Sequence, residues 1–195
     1  MKIVVATGNA HKVREMQEIL GARGIVVEGA DAHGGMPPVV EDGATFRENA
    51  VKKAVAGAKA FGVRVLADDS GLEVAALNGA PGVLSARYAG EGGNDGRNLA
   101  KLLRNLEGVE DRAARFVCSI AVADPDGTLV GACEGEVRGA IAAAPHGEGG
   151  FGYDPAFIPE GYTQTFGELP AEVKNRLSHR AAALRAALRD IFHLE

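Results

Sequence analysis

The most constraining stretch of this sequence runs from residue 115 to residue 137. Between Arg115 and Ala123 apolar residues alternate with others (Phe116, Cys118, Ile120, Val122). Asp124-Pro125-Asp126-Gly127 then places proline and glycine where a type I turn followed by a left-handed residue needs them. The chain returns through Leu129 to Val137. The pattern predicts an antiparallel β-hairpin. Elsewhere short β-branched runs interleave with segments of helical period, so a purely doubly wound parallel sheet is excluded and a mixed α/β sheet is expected.

The remaining elements follow from local signals. Lys2 to Ala6 reads as a strand that stops at Thr7-Gly8-Asn9, and Val13, Met16, Ile19 and Leu20 then recur at helical spacing as far as Gly21. Gly24 to Val27 reads as a second strand, followed by a loop from Asp31 to Gly43. Thr45 and Glu48 form a capping-box pattern. Behind them Phe46, Ala50, Ala54 and Ala58 share one helical face, with Lys52, Lys53 and Lys59 off it. Val63 to Ala67 is expected to be a strand ending at Asp68-Asp69-Ser70-Gly71, with a further strand from Leu72 to Leu77. Leu99, Leu102, Leu103 and Leu106 mark a third helix. A last amphipathic stripe combines Leu177, Leu184, Leu188, Ile191 and Phe192, with Ser178 capping a helix that starts at His179.

Composition bounds the class. With 195 residues, 46 % hydrophobic and 24 % charged, the chain can bury a sizeable core, which excludes disorder, collagen and coiled coil. It suits one domain over residues 1–195, at most two small lobes. A formal charge of -5 argues against a nucleic-acid partner bound through counterion release. The amino end offers only a short apolar stretch with no cleavage pattern, so an untargeted, cytoplasmic protein with no membrane partner is expected. The two cysteines make no disulfide framework and have no zinc spacing. If Pro125 and Asp126 form the hairpin tip, Cys118 and Cys133 lie about opposite each other, while a bulge at Gly127 offsets them by one. A redox pair and two reduced thiols are both open. The 27 glycines make up about twice the usual share and cluster in particular loops.

Four loops carry residue types suited to chemistry. Thr7-Gly8-Asn9-Ala10-His11-Lys12 lies between a strand and a helix, where backbone N–H groups and the helix dipole favour an anion. It contains no GxxxxGK[ST] and equally reads as an ordinary turn with Asn9 as cap. Asp68-Asp69, with Ser70-Gly71 after them and Glu41 in an earlier loop, supplies the oxygen ligands that hard cations take. In an extended chain the two aspartates point to opposite sides, so both need not serve. The run from Gly147 to Pro155 contains GxGxxG by letter, yet Tyr-Asp-Pro follows where a dinucleotide fold needs a helix. Its glycines leave room for a flat ligand beside Phe151 or Tyr153, and Asp154 can accept a ring N–H; core aromatics explain the run as well. Lys174 and Ser178-His179-Arg180 bring donors suited to a phosphate or a base carbonyl, or form a solvated cationic face.

Taken together and in order, TGNxxK, E-x-G-x-T-F-x-E-N-A (Glu41 to Ala50), A-D-D-S-G-L (Ala67 to Leu72), G-A-P-G-x-x-S-A-R-Y (Gly79 to Tyr88), G-G-F-G-Y-D-P (Gly149 to Pro155) and S-H-R (Ser178 to Arg180) span almost the whole chain. The combination closely resembles the inosine/xanthosine triphosphate pyrophosphatase family. That resemblance implies a Mg²⁺-dependent homodimeric enzyme that hydrolyses ITP, dITP and XTP to the monophosphate and pyrophosphate. It also implies roles for single residues. Thr7, Gly8, Asn9, Ala10, His11 and Lys12 would cradle the triphosphate, Glu41 and Asp69 would hold the metal, Asp69 would accept a proton, and Ser70 would touch substrate. Phe151, Gly152, Tyr153, Asp154, Lys174, His179 and Arg180 would line a base pocket. The fold it implies is α/β, a mixed elongated β-sheet with flanking helices in two lobes around a central cleft.

Overall fold

Alternation along short apolar strands sets the architecture. The computed structural model describes residues 1–194. Strands β1 (Lys2–Val5), β2 (Val26–Gly29), β3 (Val65–Val74), β4 (Ala113–Ala123), β5 (Leu129–Ile141) and β6 (Phe157–Pro159) form one sheet in the order β2-β1-β3-β4-β5-β6. The first strand pairs in parallel with β2, Lys2 opposite Val26, and with β3, Val4 opposite Val65. β5 and β6 run antiparallel, Ile141 opposite Phe157. The sheet is therefore mixed, as the hairpin requires. Helices α1 (Ala10–Gly21), α2 (Phe46–Phe61), α3 (Asp95–Asn105), α4 (Ala171–Leu177) and α5 (His179–Asp190) complete the regular structure.

The chain divides into two compact units. The first holds Met1–Asp69, Cys118–Gly135 and the residues from His179 onward; the second holds Ser70–Val117 and Glu136–Ser178. In the first unit the two faces of the strands sort cleanly. Ile3, Val5, Leu66, Ile120 and Val122 pack with Met16 and Leu20 of α1 and Leu184 and Leu188 of α5. Val4, Ala6, Val65, Ala67, Ala121 and Ala123 face the opposite way, onto Ala50, Ala54 and Ala58 of α2. Small residues on both partners let α2 lie close on its face. Each fully buried leucine or isoleucine contributes about 1.5–3 kcal/mol relative to exposure. In the second unit Leu72, Val74, Leu102, Leu106, Phe116, Ile141, Phe157 and Phe166 form the core. Phe116 and Phe157 sit with ring centroids 4.6 Å apart in a tilted arrangement, a geometry aromatic pairs favour.

Three expectations change. Asp68 to Gly71 do not end a strand: β3 runs unbroken through them to Val74, and Ala75–Leu77 close it in a 3-10 turn instead of forming another strand. Leu72 and Val74 are fully buried, so core burial on both sides of the acidic pair keeps the strand extended. The carboxyl-terminal stripe divides at Ser178, which ends α4 and precedes α5; Leu177 belongs to α4. Lys53 was expected off the buried face of α2 but is only 7 % exposed, drawn in by carboxylates described below.

Of the two readings open for the cysteines, the structure has the reduced one. The hairpin closes with Asp124 N–H donating to the Thr128 carbonyl at 2.9 Å, and Gly127 takes φ +88. Gly127 is the left-handed residue of that turn, and Cys118 and Cys133 pack into the same core. Both are free. Cys118 is buried, and the Sγ of Cys133 lies 3.4 Å from the Ala183 carbonyl.

Candidate active site

Because residues alternate along β3, Asp68 shares the side of Leu66, facing α1 and α5, and Asp69 shares the side of Val65 and Ala67, facing α2. Their partners follow from that. Asp68 is fully buried, and its Oδ2 lies 3.0 Å from Lys12 Nζ on α1 and 3.2 Å from Arg180 Nη2 on α5. Arg180 also pairs through Nη1 with Glu15, one turn along α1 from His11. Asp69 meets α2: its Oδ1 lies 2.9 Å from Lys53 Nζ, and its Oδ2 accepts from Asn49 Nδ2 at 3.3 Å. Lys53 Nζ is also 3.0 Å from Glu41 Oε2.

These environments push the two aspartates apart. Burial disfavours ionised Asp68, but Lys12, Arg180 and Lys53 outweigh it and hold the carboxyl far below the usual range. For Asp69 burial dominates, Lys53 offsets it only in part, and the carboxyl is pushed above its ordinary value. Two carboxyl groups separated in this way are the mark of an acid–base assignment. The surroundings favour the ionised form of Asp68 and disfavour that of Asp69. Burial would lower the proton affinity of Lys53, yet Asp69, Asp68 and Glu41 raise it, so its ammonium stays charged between them.

That ammonium tests whether a divalent cation fits. Glu41 Oε2 and Asp69 Oδ1 converge on a single cationic nitrogen at 3.0 and 2.9 Å, a pair of oxygen donors aimed at one positive charge and half exposed on the Glu41 side. Hard cations such as Mg²⁺ take two carboxylates plus water and phosphate oxygens. The donor set fits. Among the described residues no cluster of three or more His, Cys, Asp or Glu side chains is placed to hold a metal ion.

The loop before α1 is built around Asn9. Its side chain accepts from the backbone N–H of His11 at 2.9 Å and of Lys12 at 3.2 Å, and its own N–H donates to Thr7 Oγ1 at 3.2 Å. The cap reading of this loop holds. Gly8, Asn9, Ala10 and His11 are exposed, with Thr7 and Lys12 half-buried, so the start of the helix is open to solvent. Ser70 follows Asp69 on β3 and is half-buried.

The second unit holds a separate constellation. Lys174 Nζ pairs with Asp154 Oδ2 at 2.5 Å, both side chains nearly fully buried. The same ammonium stands 4.8 Å from the centroid of the Phe151 ring. Asp154 Oδ2 also accepts the Phe151 N–H at 2.8 Å. Gly150, at φ +73, comes so near that a Cβ there would lie 2.1 Å from Asp154 Oδ2, so glycine is required. The Gly152 N–H is held at 2.8 Å by Asp95, at the start of α3. Tyr153 is buried in the core, its hydroxyl donating to the Ser85 carbonyl at 2.7 Å. Phe151, half-exposed, is thus the ring of the pair that can face a flat ligand.

The expected base-pocket residues belong to both units. Phe151, Gly152, Tyr153, Asp154 and Lys174 are gathered in the second unit, whereas His179 and Arg180 open α5 in the first. Arg180 is 1 % exposed and engaged with Asp68 and Glu15, a positioning arrangement. Sequence reasoning assigned no role to Lys53, Asn49, Glu15 or Asp95. Asn49 stood inside the E-N-A motif, and Lys53 lies one helical turn after it; nothing in the letters marked Glu15.

Comparison with known proteins gives the chain's relatives. The sequence model of the Ham1 family matches residues 3–190. The chain is 52 % identical over 182 residues to the dITP/XTP pyrophosphatase of Desulfotalea psychrophila, covering 93 % of this chain and 81 % of that protein. It is 53 % identical over 190 residues to the dITP/XTP pyrophosphatase of Desulforamulus reducens, covering 96 % and 94 %. Among solved structures, a HAM1 protein from Coxiella burnetii superposes with a TM-score of 0.83 at 42 % identity, covering 95 % of each chain. The Staphylococcus aureus Ham1 protein gives 0.82 at 43 %, again covering 95 % of each. With a family model matched over nearly its full length and relatives above half identity, this chain belongs to the Ham1 family.

Proposed function

We propose that the protein is a nucleoside triphosphate pyrophosphatase acting on the non-standard purine nucleotides ITP, dITP and XTP, releasing the monophosphate and pyrophosphate and so cleansing the nucleotide pool. The observation that carries this reading is the split acidic pair: Asp68 locked by Lys12 and Arg180, Asp69 raised and turned toward Lys53 and Glu41. It is supported by the name shared by the relatives of about half identity.

The chemistry is hydrolysis by a water that attacks the α-phosphorus. Asp69 takes the proton of that water. Lys53 holds the Asp69 carboxylate in place, and Lys12, beside the exposed cap of α1, supplies positive charge for the leaving pyrophosphate. Such a step depends on positioning and electrostatics and needs no covalent intermediate. Glu41 and Asp69 would hold a Mg²⁺ ion, which when bound supplies charge neutralisation on the phosphates. The base is read by Lys174, set beside Phe151 and oriented by Asp154. A donor at this position suits the 6-oxo group of hypoxanthine or xanthine and faces the 6-amino group of adenine badly. A site built for one hydrogen-bond pattern rejects the mismatched partner by up to about 10⁴.

Such an enzyme works on free nucleotides in the cytoplasm. Among the described residues no helix is long and apolar enough to cross a membrane. The family resemblance extends the reading to a homodimer, which light scattering at two concentrations checks. The function itself is tested by pyrophosphate release from ITP, XTP, dGTP, GTP, ATP and dTTP with Mg²⁺ and with EDTA. Fast, EDTA-sensitive release from ITP and XTP is expected. Release only from pyrimidine nucleotides would overturn the base assignment, and binding without release would make the chain a nucleotide sensor.

A further inference from the structure

We propose that Asn49 is a positioning residue for Asp69, and that its one carboxamide locks the proton acceptor and the Glu41 loop into a single rigid arrangement. The inference rests on the reading of Asp69 given above and deepens it. Asn49 lies one turn into α2, 1 % exposed, where the helix started by Thr45 fixes its direction. Its Oδ1 accepts the Gly43 N–H at 2.8 Å, and its Nδ2 donates to Asp69 Oδ2 at 3.3 Å. Gly43 is two residues beyond Glu41.

Donor and acceptor roles leave one arrangement. A backbone N–H can only donate and an ionised carboxylate can only accept, so the group between them must present an acceptor to one and a donor to the other. At this size a carboxamide does both. The Asp69 carboxylate then has a donor on each oxygen, Lys53 on Oδ1 and Asn49 on Oδ2, which stops its rotation. The contact with the loop is equally tight: a Cβ at Gly43 would lie 2.6 Å from Asn49 Oδ1 and 2.8 Å from Glu48 Cβ. Only glycine lets the chain close onto the amide. Buried polar groups satisfied on all sides specify one geometry, and loss of that geometry is costly to a reaction that relies on alignment.

The decisive variant is Asn49→Asp. It keeps the size and the oxygen that accepts from Gly43, and it replaces the donor facing Asp69 by an acceptor. A role confined to pinning the loop survives that change, whereas a role in orienting Asp69 does not. Steady-state kinetics on ITP, thermal unfolding, and binding of an α,β-methylene analogue of ITP are measured for Asn49→Asp, Asn49→Ala and Asp69→Asn. The proposal expects Asn49→Asp to stay folded, with a lower unfolding temperature because a second buried carboxyl faces Asp69, and to bind the analogue within about threefold, with kcat lower by about tenfold to a hundredfold. Wild-type kcat in Asn49→Asp, or a change confined to KM, overturns it. Should Asn49→Ala fail to fold, Asn49→Asp decides alone. Asp69→Asn separates the two readings. If it turns over normally, the role of Asp69 fails; if it is inactive while Asn49→Asp is fully active, only the role of Asn49 fails.

Discussion

Asp68 and Asp69 are neighbours on one strand and are held by different helices, Asp68 at 3.0 Å from Lys12 on α1 and Asp69 at 2.9 Å from Lys53 on α2. A period-two backbone puts a repeated residue into two environments. The side facing α1 and α5 supplies two cations in a fully buried setting, and they outweigh burial and hold the Asp68 carboxyl far below its usual range. The side facing α2 supplies one ammonium shared with Glu41, and there burial pushes the Asp69 carboxyl above its ordinary value.

The first prediction concerns that division. Asp69→Asn keeps the fold and the binding of an uncleaved analogue, while kcat falls by about 10² to 10⁴, the range for loss of a positioned general base. Pyrophosphate release and analogue binding measured together check this. Turnover within a few fold of wild type would remove Asp69 from the mechanism.

A second prediction concerns Arg180. Its guanidinium spans Asp68 and Glu15, and a fork of several donors can serve two carboxylates at once where a single ammonium cannot. Arg180→Ala leaves both acids buried without their shared cation, and such a loss costs about 3–5 kcal/mol. Arg180→Lys recovers only part of it. Urea unfolding gives the values; an Arg180→Ala protein as stable as wild type would show that the pair contributes nothing.

The strands, the capped helices and the hairpin were legible because period and punctuation are local. Thr45 caps α2 by accepting the Glu48 N–H at 3.1 Å, and Asn9 caps α1, both where the letters placed them. The continuity of β3 through Asp68-Asp69-Ser70-Gly71 was not legible: acidic and glycine residues signal a turn, and only burial of Leu72 and Val74 on the far side overrides that signal. Burial of Lys53 was hidden for a related reason. A lysine on a helix reads as solvated until Glu41 and Asp69, 12 and 16 residues away in sequence, are seen to converge on it. Motif order gave the candidate residues as a set; it could not say that Arg180 engages Asp68 and Glu15 while Lys174 engages Asp154.

A third prediction separates base reading from phosphate chemistry. Lys174→Ala lowers the ITP-to-ATP ratio of kcat/KM by about tenfold or more and leaves the Mg²⁺ concentration for half-maximal rate unchanged. Gly150→Ala moves the same ratio in the same direction, because its Cβ would displace Asp154, the partner of Lys174. Unchanged selectivity in both would place the base reader elsewhere.

A fourth prediction concerns the thiols. Burial pushes Cys133 up to about 11 and raises the buried Cys118 further, so at pH 8 almost no thiolate exists. Titration in denaturant without reductant counts two free thiols. In the folded protein at pH 8 Cys118 is silent, and alkylation of Cys133 is slow and rises about tenfold per pH unit toward 11. One thiol or none in denaturant, or rapid alkylation at pH 8, would contradict the structure.

The most direct test of the central claim is hydrolysis of ITP in ¹⁸O-water with the products separated and weighed by mass spectrometry. Attack on the α-phosphorus by the water that Asp69 activates places one ¹⁸O in IMP and none in pyrophosphate. Label in pyrophosphate, or formation of IDP and orthophosphate, would contradict it.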